Sequence, residues 1–109
     1  MSVVNLTPHD VTVMSESGDV HVNFPASGTV LRLGTIELGT QHYPDVPAPV
    51  ELVEYHHLNN PPKKIPGTWY IVSLPCALAY PREDFLVPFM EVRDARGQII
   101  GCRLLGRPV

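Results

Sequence analysis

Residues 67 to 81 read Gly67-Thr68-Trp69-Tyr70-Ile71-Val72-Ser73-Leu74-Pro75-Cys76-Ala77-Leu78-Ala79-Tyr80-Pro81. From Thr68 to Val72 the side chains are aromatic and β-branched with almost no polarity, the pattern of a strand buried on both faces. This segment is expected to be the central strand of a sheet. Cys76 to Tyr80 then has helical propensity, with Ser73 or Leu74 near the N-cap, Pro75 tolerated in the first turn and Pro81 ending the helix.

Downstream, Phe85-Leu86-Val87 is a short apolar run that Pro88 is expected to end. Glu91-Val92-Arg93 and the run from Gln98 to Leu105 flank Asp94-Ala95-Arg96-Gly97, a turn with glycine in its last position, which predicts a closing β-hairpin. Upstream, Val3 to Leu6, Val11 to Met14, Val20 to Phe24 and Thr29 to Leu33 read as four short strands. The turn at Ser15-Glu16-Ser17-Gly18-Asp19 joins the second and third, and the order suggests a meander. Val20, Val22 and Phe24 alternate with His21 and Asn23, so His21 falls on the polar face.

The middle is proline-rich. Residues 39–49 and 56–67 read as loops, and long loops in a small domain suggest a lid or a binding edge. Between them Val50-Glu51-Leu52-Val53-Glu54-Tyr55 reads as a strand. Glu51 and Glu54 would also fit one helical turn, but Val and Tyr propensity and the flanking prolines favour the strand. The fold expected is a single mainly β domain over residues 1–109: a compact antiparallel barrel or sandwich of six to eight short strands, with one short helix after the central strand.

Composition narrows the class. A chain of 109 residues supports one core but no large enclosed active site, so any site should be a surface cleft. Twelve prolines, about twice the usual ~5%, exclude a helical bundle. A formal net charge of -3 leaves no electrostatic footprint for duplex nucleic acid. No apolar run approaches the ~18 residues of a membrane span, and the start lacks a basic segment before an apolar one, so a cytoplasmic protein is expected. Cys76 and Cys102 are expected to be reduced core residues.

Four motifs together resemble a family of small uncharacterised proteins encoded by tailed bacteriophages, prophages and some bacteria. They are Asn5-Leu6-Thr7-Pro8-His9-Asp10-Val11; Gly67-Thr68-Trp69-Tyr70-Ile71-Val72-Ser73; Arg82 with Asp84 and Pro88; and Val92-Arg93-Asp94 with Ile100-Gly101-Cys102-Arg103. The likeness spans most of the chain outside the proline-rich loops. It implies a bacterial host cell as the setting and brings no activity with it.

Three constellations could carry function. The first is an anion or nucleotide site in which Ser73 and the helix N-terminus meet Arg82, Asp84 and Arg93; against it, Ser73 serves equally as a plain cap and Arg82 would pair with Asp84. The second is the histidine set. His9 beside Asp10 could act as a general base, with Ser73 or Cys76 as nucleophile, or the pair could simply fix a turn. None of the five histidines has metal-ligand spacing, so neither metal nor cofactor is expected. The third is a protein-binding surface on a strand edge and the proline-rich loops, using Tyr43, Tyr55, His56, His57, Lys63 and Lys64.

A non-enzymatic phage-type accessory protein that binds a protein partner is expected first, with inhibition of a host defence factor as one form of it. Binding of a nucleotide or other small phosphorylated ligand comes second, and a small enzyme using His9 third. Self-association through an edge is compatible with the first.

Overall fold

The computed structural model describes residues 2–109 apart from the side chain of His56. Eight strands and one helix follow in the order β1 (Ser2–Asn5), β2 (Val11–Met14), β3 (Val20–Phe24), β4 (Arg32–Gln41), β5 (Val50–Asn59), β6 (Thr68–Ile71), α1 (Leu74–Ala79), β7 (Phe85–Arg93) and β8 (Ile99–Gly106). The chain is mainly β, as expected. Six strands form one sheet in the order β1-β6-β7-β8-β2-β3, while β4 and β5 form a separate two-stranded ribbon.

β6 carries the core. Tyr70 and Val72 enter one cluster with Leu6, Leu31, Leu58, Cys76, Ala77, Phe85 and Val87, whereas Ile71 faces a second with Val11, Val13 and Cys102. Alternate residues of one strand thus feed two cores, which is why its sequence lacks a polar face. β6 lies between β1 and β7 and is parallel to both. β2 is also parallel to its neighbour β8, so the six-stranded sheet is mixed, not antiparallel as expected: only its β2–β3 and β7–β8 pairings, and the separate β4–β5 ribbon, are antiparallel. The expected meander does not form: β1 leaves β2 to pair with β6, far along the chain.

The six-stranded sheet is open, yet its two edges approach at one end. Asn5 at the end of β1 bridges Ala26 just beyond β3, and Ser27 N–H donates to the Asn5 carbonyl at 3.1 Å. On the other side of the curl Gly101 lets β8 approach β2, because a Cβ there would sit 2.8 Å from the Thr12 carbonyl oxygen and 2.8 Å from Met14 Sδ.

Four expectations need correction. Pro88 does not end its strand. β7 runs to Arg93, since beyond Leu86 it has no β6 partner and a residue without N–H costs no ladder bond on that side. The fourth strand begins at Arg32 and passes through Gly39, where a bulge and a φ of 131° suit glycine. Residues 39–41 and 56–59 are therefore strand, and the two loops shrink to 42–49 and 60–67. His57 accordingly lies on β5 and not in a loop, continuing the strand that Tyr55 was expected to end.

The ribbon stands away from the body. Its base is tied in by Leu31 and Leu58, which are buried, and by Leu33. From the Thr35–Tyr55 pair to the Gln41–Val50 pair it is exposed along both strands except at the half-buried Val50, a reach of about 20 Å at ~3.3 Å per residue. The radius of gyration is 16.8 Å, against roughly 13 Å for a compact domain of this length. We call this exposed part the arm.

Candidate functional site

Asn5 organises the turn that leads from β1 into β2. It is 2% exposed, and its Nδ2 donates to the carbonyls of His9 at 2.8 Å and Phe24 at 3.0 Å. Its Oδ1 accepts the Thr7 N–H at 2.9 Å and lies 2.7 Å from the Thr7 hydroxyl, which is also 2.9 Å from the His9 carbonyl. One buried amide thus uses both its donors and its acceptor to shape Thr7-Pro8-His9-Asp10. Asp10 fixes the other end, accepting the Ala26 N–H at 2.9 Å.

This turn forms one wall of a cleft of about 480 Å³. His9, Asp10 and Thr12 face it from the N-terminal side, Ser73 and Leu74 from the start of α1, and Pro88, Glu91, Ile99 and Ile100 from the β7–β8 hairpin. His9, Asp10 and Ser73, distant in sequence, therefore share one concavity. Among the described residues neither the His9 ring nor the Ser73 hydroxyl makes a hydrogen bond, so the contact between base and nucleophile that would mark an activated serine is not made. Ser73 occupies the N-cap position with extended backbone and no side-chain capping bond. Cys76 is buried at 2% exposure and donates to the Leu31 carbonyl, and burial pushes the Cys102 thiol up. Both cysteines are free and inert by position.

The cleft suits a phosphate poorly. Among the described residues its charged groups are the carboxylates Asp10 and Glu91, and no Lys or Arg lines it. The arginines expected to help are already paired, Arg82 away from the cleft and Arg93 with the cleft's own Glu91. Arg82 donates from Nε and Nη2 to the two oxygens of Asp84 at 2.9 and 2.6 Å and from Nη1 to the Pro62 carbonyl at 2.7 Å, with its guanidinium 4.4 Å above the Phe85 ring. The guanidinium beside it holds the Asp84 carboxyl below the usual carboxylate range, and the same bond raises Arg82. Arg93 reaches Glu91 at 2.9 Å and the Gly97 carbonyl at 2.6 Å. The structure does not assemble Ser73, Arg82, Asp84 and Arg93 into one site.

Arg82 also corrects the idea that residues 56–67 form a lid. Its bond to Pro62 and the Tyr70 hydroxyl's donation to the Lys63 carbonyl at 2.9 Å staple the remaining loop to the body. Lys63 and Lys64 are exposed on that stapled loop. His56, named with them as a partner contact, has a side chain outside the described residues. Among the described residues no group of three or more His, Cys, Asp or Glu could hold a metal ion.

The arm presents a group of exposed apolar side chains away from the body. Pairing places Ile36 and Leu52 on one face, at 44% and 38% exposure, and Tyr55 with Val53 on the other, while Leu38, 60% exposed, is the unpaired residue of the bulge. Two of the expected partner residues, Tyr43 and Tyr55, belong to the arm and its tip. Ile36 and Leu38 escaped the sequence reading, which ended the fourth strand at Leu33, and Leu52 was read as strand but not as a contact residue.

Comparison with family models, with curated proteins and with solved structures found no match to this chain. Among the described residues no helix is long and apolar enough to cross a membrane.

Proposed function

We propose that the protein works by binding another protein, with the arm as its contact element, in the cytoplasm of a bacterial host cell. The setting comes from the resemblance to bacteriophage accessory proteins, and inhibition of a host defence factor is one form such binding takes. One observation carries the reading. An isolated two-stranded ribbon is marginal in water, yet this one holds Ile36, Leu38, Leu52, Val53 and Tyr55 at its surface without burying them against its own body. Exposed apolar surface of this kind marks a protein contact, and edge strands and aromatic side chains are favourable contact chemistry. The acidic lining of the cleft weighs against a phosphorylated ligand there.

The test is affinity capture from bacterial lysate with the full chain and with a chain whose residues 37–53 are replaced by Asn-Gly. The reading expects a partner retained by the full chain and lost by the shortened one, at unchanged melting temperature of the body. Equal recovery by both baits, or no specific partner for either across host lysates, would overturn it.

A further inference from the structure

The arm is acidic as well as apolar. From Leu33 to Pro62 the chain contains no Lys or Arg but four carboxylates, Glu37, Asp45, Glu51 and Glu54. A second exposed apolar surface has the opposite charge. The β7–β8 hairpin leaves Phe89, Met90, Ile99 and Leu104 at 53%, 57%, 55% and 45% exposure. The same segment, from Pro88 to Arg107, carries four arginines against two carboxylates, Glu91 and Asp94; Arg93 pairs with Glu91 and the half-buried Arg103 donates to the Ser15 carbonyl, which leaves Arg96 and Arg107 as its exposed cations without a side-chain partner among the described residues. Met90 lies there with φ at 61°, a conformation costly for a bulky side chain, and it holds an apolar side chain outward.

We infer that these two surfaces meet between two copies of this chain: the acidic arm of one copy lies on the basic, apolar β7–β8 hairpin of the other. This rests on the arm being a protein-contact element and names the partner. Arm-to-arm pairing is the competing geometry, but it brings carboxylates against carboxylates with no cation in either segment to offset them. Arm on hairpin gives each partner both an apolar area to bury and charge of opposite sign at its rim. Because the two patches differ, each copy offers one of each, and a reciprocal exchange closes as a two-fold dimer.

The experiment is sedimentation of the purified full chain at low and high salt, with two charge-reversal variants chosen at exposed positions. Glu37→Lys with Glu54→Lys reverses the arm, and Arg96→Glu with Arg107→Glu reverses the hairpin. The wild type should be a dimer at low salt that weakens as salt rises. Each variant alone should dissociate more readily, on the order of tenfold or more in dimer dissociation constant. A one-to-one mixture of the two variants should recover a dimer, since each reversed patch then faces its complement. Circular dichroism identifies a variant that fails to fold, and the salt series on the wild type then still decides. A monomeric wild type at high micromolar concentration, a dimer indifferent to salt and to both reversals, or a mixture that stays dissociated would each overturn the inference. A dimer strengthened by the arm reversal alone would point to arm-to-arm pairing and overturn it too. If the wild type is monomeric while lysate capture still depends on the arm, self-association fails and the protein-binding reading stands.

Discussion

β6 and β5 are built from similar residue types and end in opposite environments. Thr68-Trp69-Tyr70-Ile71 enters the body, with Tyr70 and Ile71 buried, whereas Val50-Glu51-Leu52-Val53-Glu54-Tyr55 carries Val, Leu and Tyr in water on both faces. The interposed carboxylates make the difference. A strand flanked by partners and covered on both faces cannot bury Glu51 or Glu54, while a two-stranded ribbon keeps both solvated and Glu51 bonds Gly39 N–H and the Thr40 hydroxyl across it, each at 2.8 Å. β propensity decides that each segment is a strand, and interspersed charge decides how far it can be covered.

The largest effect should come from emptying the body. Phe85, on β7 beside β6, is 1% exposed, packs edge-on against Tyr70 with ring centroids 6.4 Å apart and lies under the Arg82 guanidinium. Phe85→Ala should cost about 3–5 kcal/mol, through lost transfer energy and the cavity left behind. Urea denaturation monitored by Trp69 fluorescence reads this directly. A loss below about 1 kcal/mol would mean that the body repacks as freely as the arm, and the contrast between them would collapse.

Next is the Arg82–Asp84 pair, whose side chains are 14% and 9% exposed. Arg82→Leu leaves Asp84 with an unpaired charge, frees the Pro62 carbonyl and unstaples the loop at 60–67; about 2–3 kcal/mol should be lost. The pH dependence has a definite sign. Asp84 titrates below its unfolded value, so the pair's stabilisation is present above roughly pH 4 and is lost as pH falls through the lowered folded value. Denaturation of wild type and variant at pH 7 and pH 3 should therefore show a gap that narrows in acid. A gap that widened in acid would assign the stability to something other than the carboxylate.

How much of this could be read in the sequence divides along the same line. β6, its helix, the Ser15 to Asp19 turn and the Asp94 to Gly97 turn were legible because each depends on neighbours in the chain: local periodicity, a glycine at the required φ, a proline at a helix start. The parallel β1–β6 pairing was not, since no local signal says which distant strand a terminal strand joins. Nor was the role of Asn5, whose partners include the distant Phe24 carbonyl; the short polar residue opening Asn5-Leu6-Thr7-Pro8 was the available hint of an Asx-type turn. The arm was half-read because a ribbon wet on both faces has no amphipathic period to reveal it, and Gly39 looked like a break when it accommodates a bulge. The cleft brought His9 and Ser73 together, but only the fold could show that carboxylates, not arginines, line it.

The smallest effect on stability should come from the arm, and its smallness is the point. Ile36→Ser with Leu52→Ser removes two large apolar side chains from the same face of the ribbon. In the body such a change would cost several kcal/mol. In the arm Ile36 and Leu52 are 44% and 38% exposed, so folding gains much less from them than from a buried side chain and stability should stay within about 1 kcal/mol of wild type. The same double substitution removes apolar side chains from the proposed contact, so sedimentation of this variant should show weakened self-association, with a denaturation midpoint close to that of the wild type at concentrations where the wild type is monomeric. A residue that contributes to folding shifts the midpoint at any protein concentration, whereas one that contributes to a contact between copies shifts it only where the dimer is populated. Midpoints measured at low and high protein concentration therefore separate the two roles: the wild type should gain stability with concentration and the variant should not. A variant destabilised equally at both concentrations would place Ile36 and Leu52 in the folding core and erase the distinction between β5 and β6.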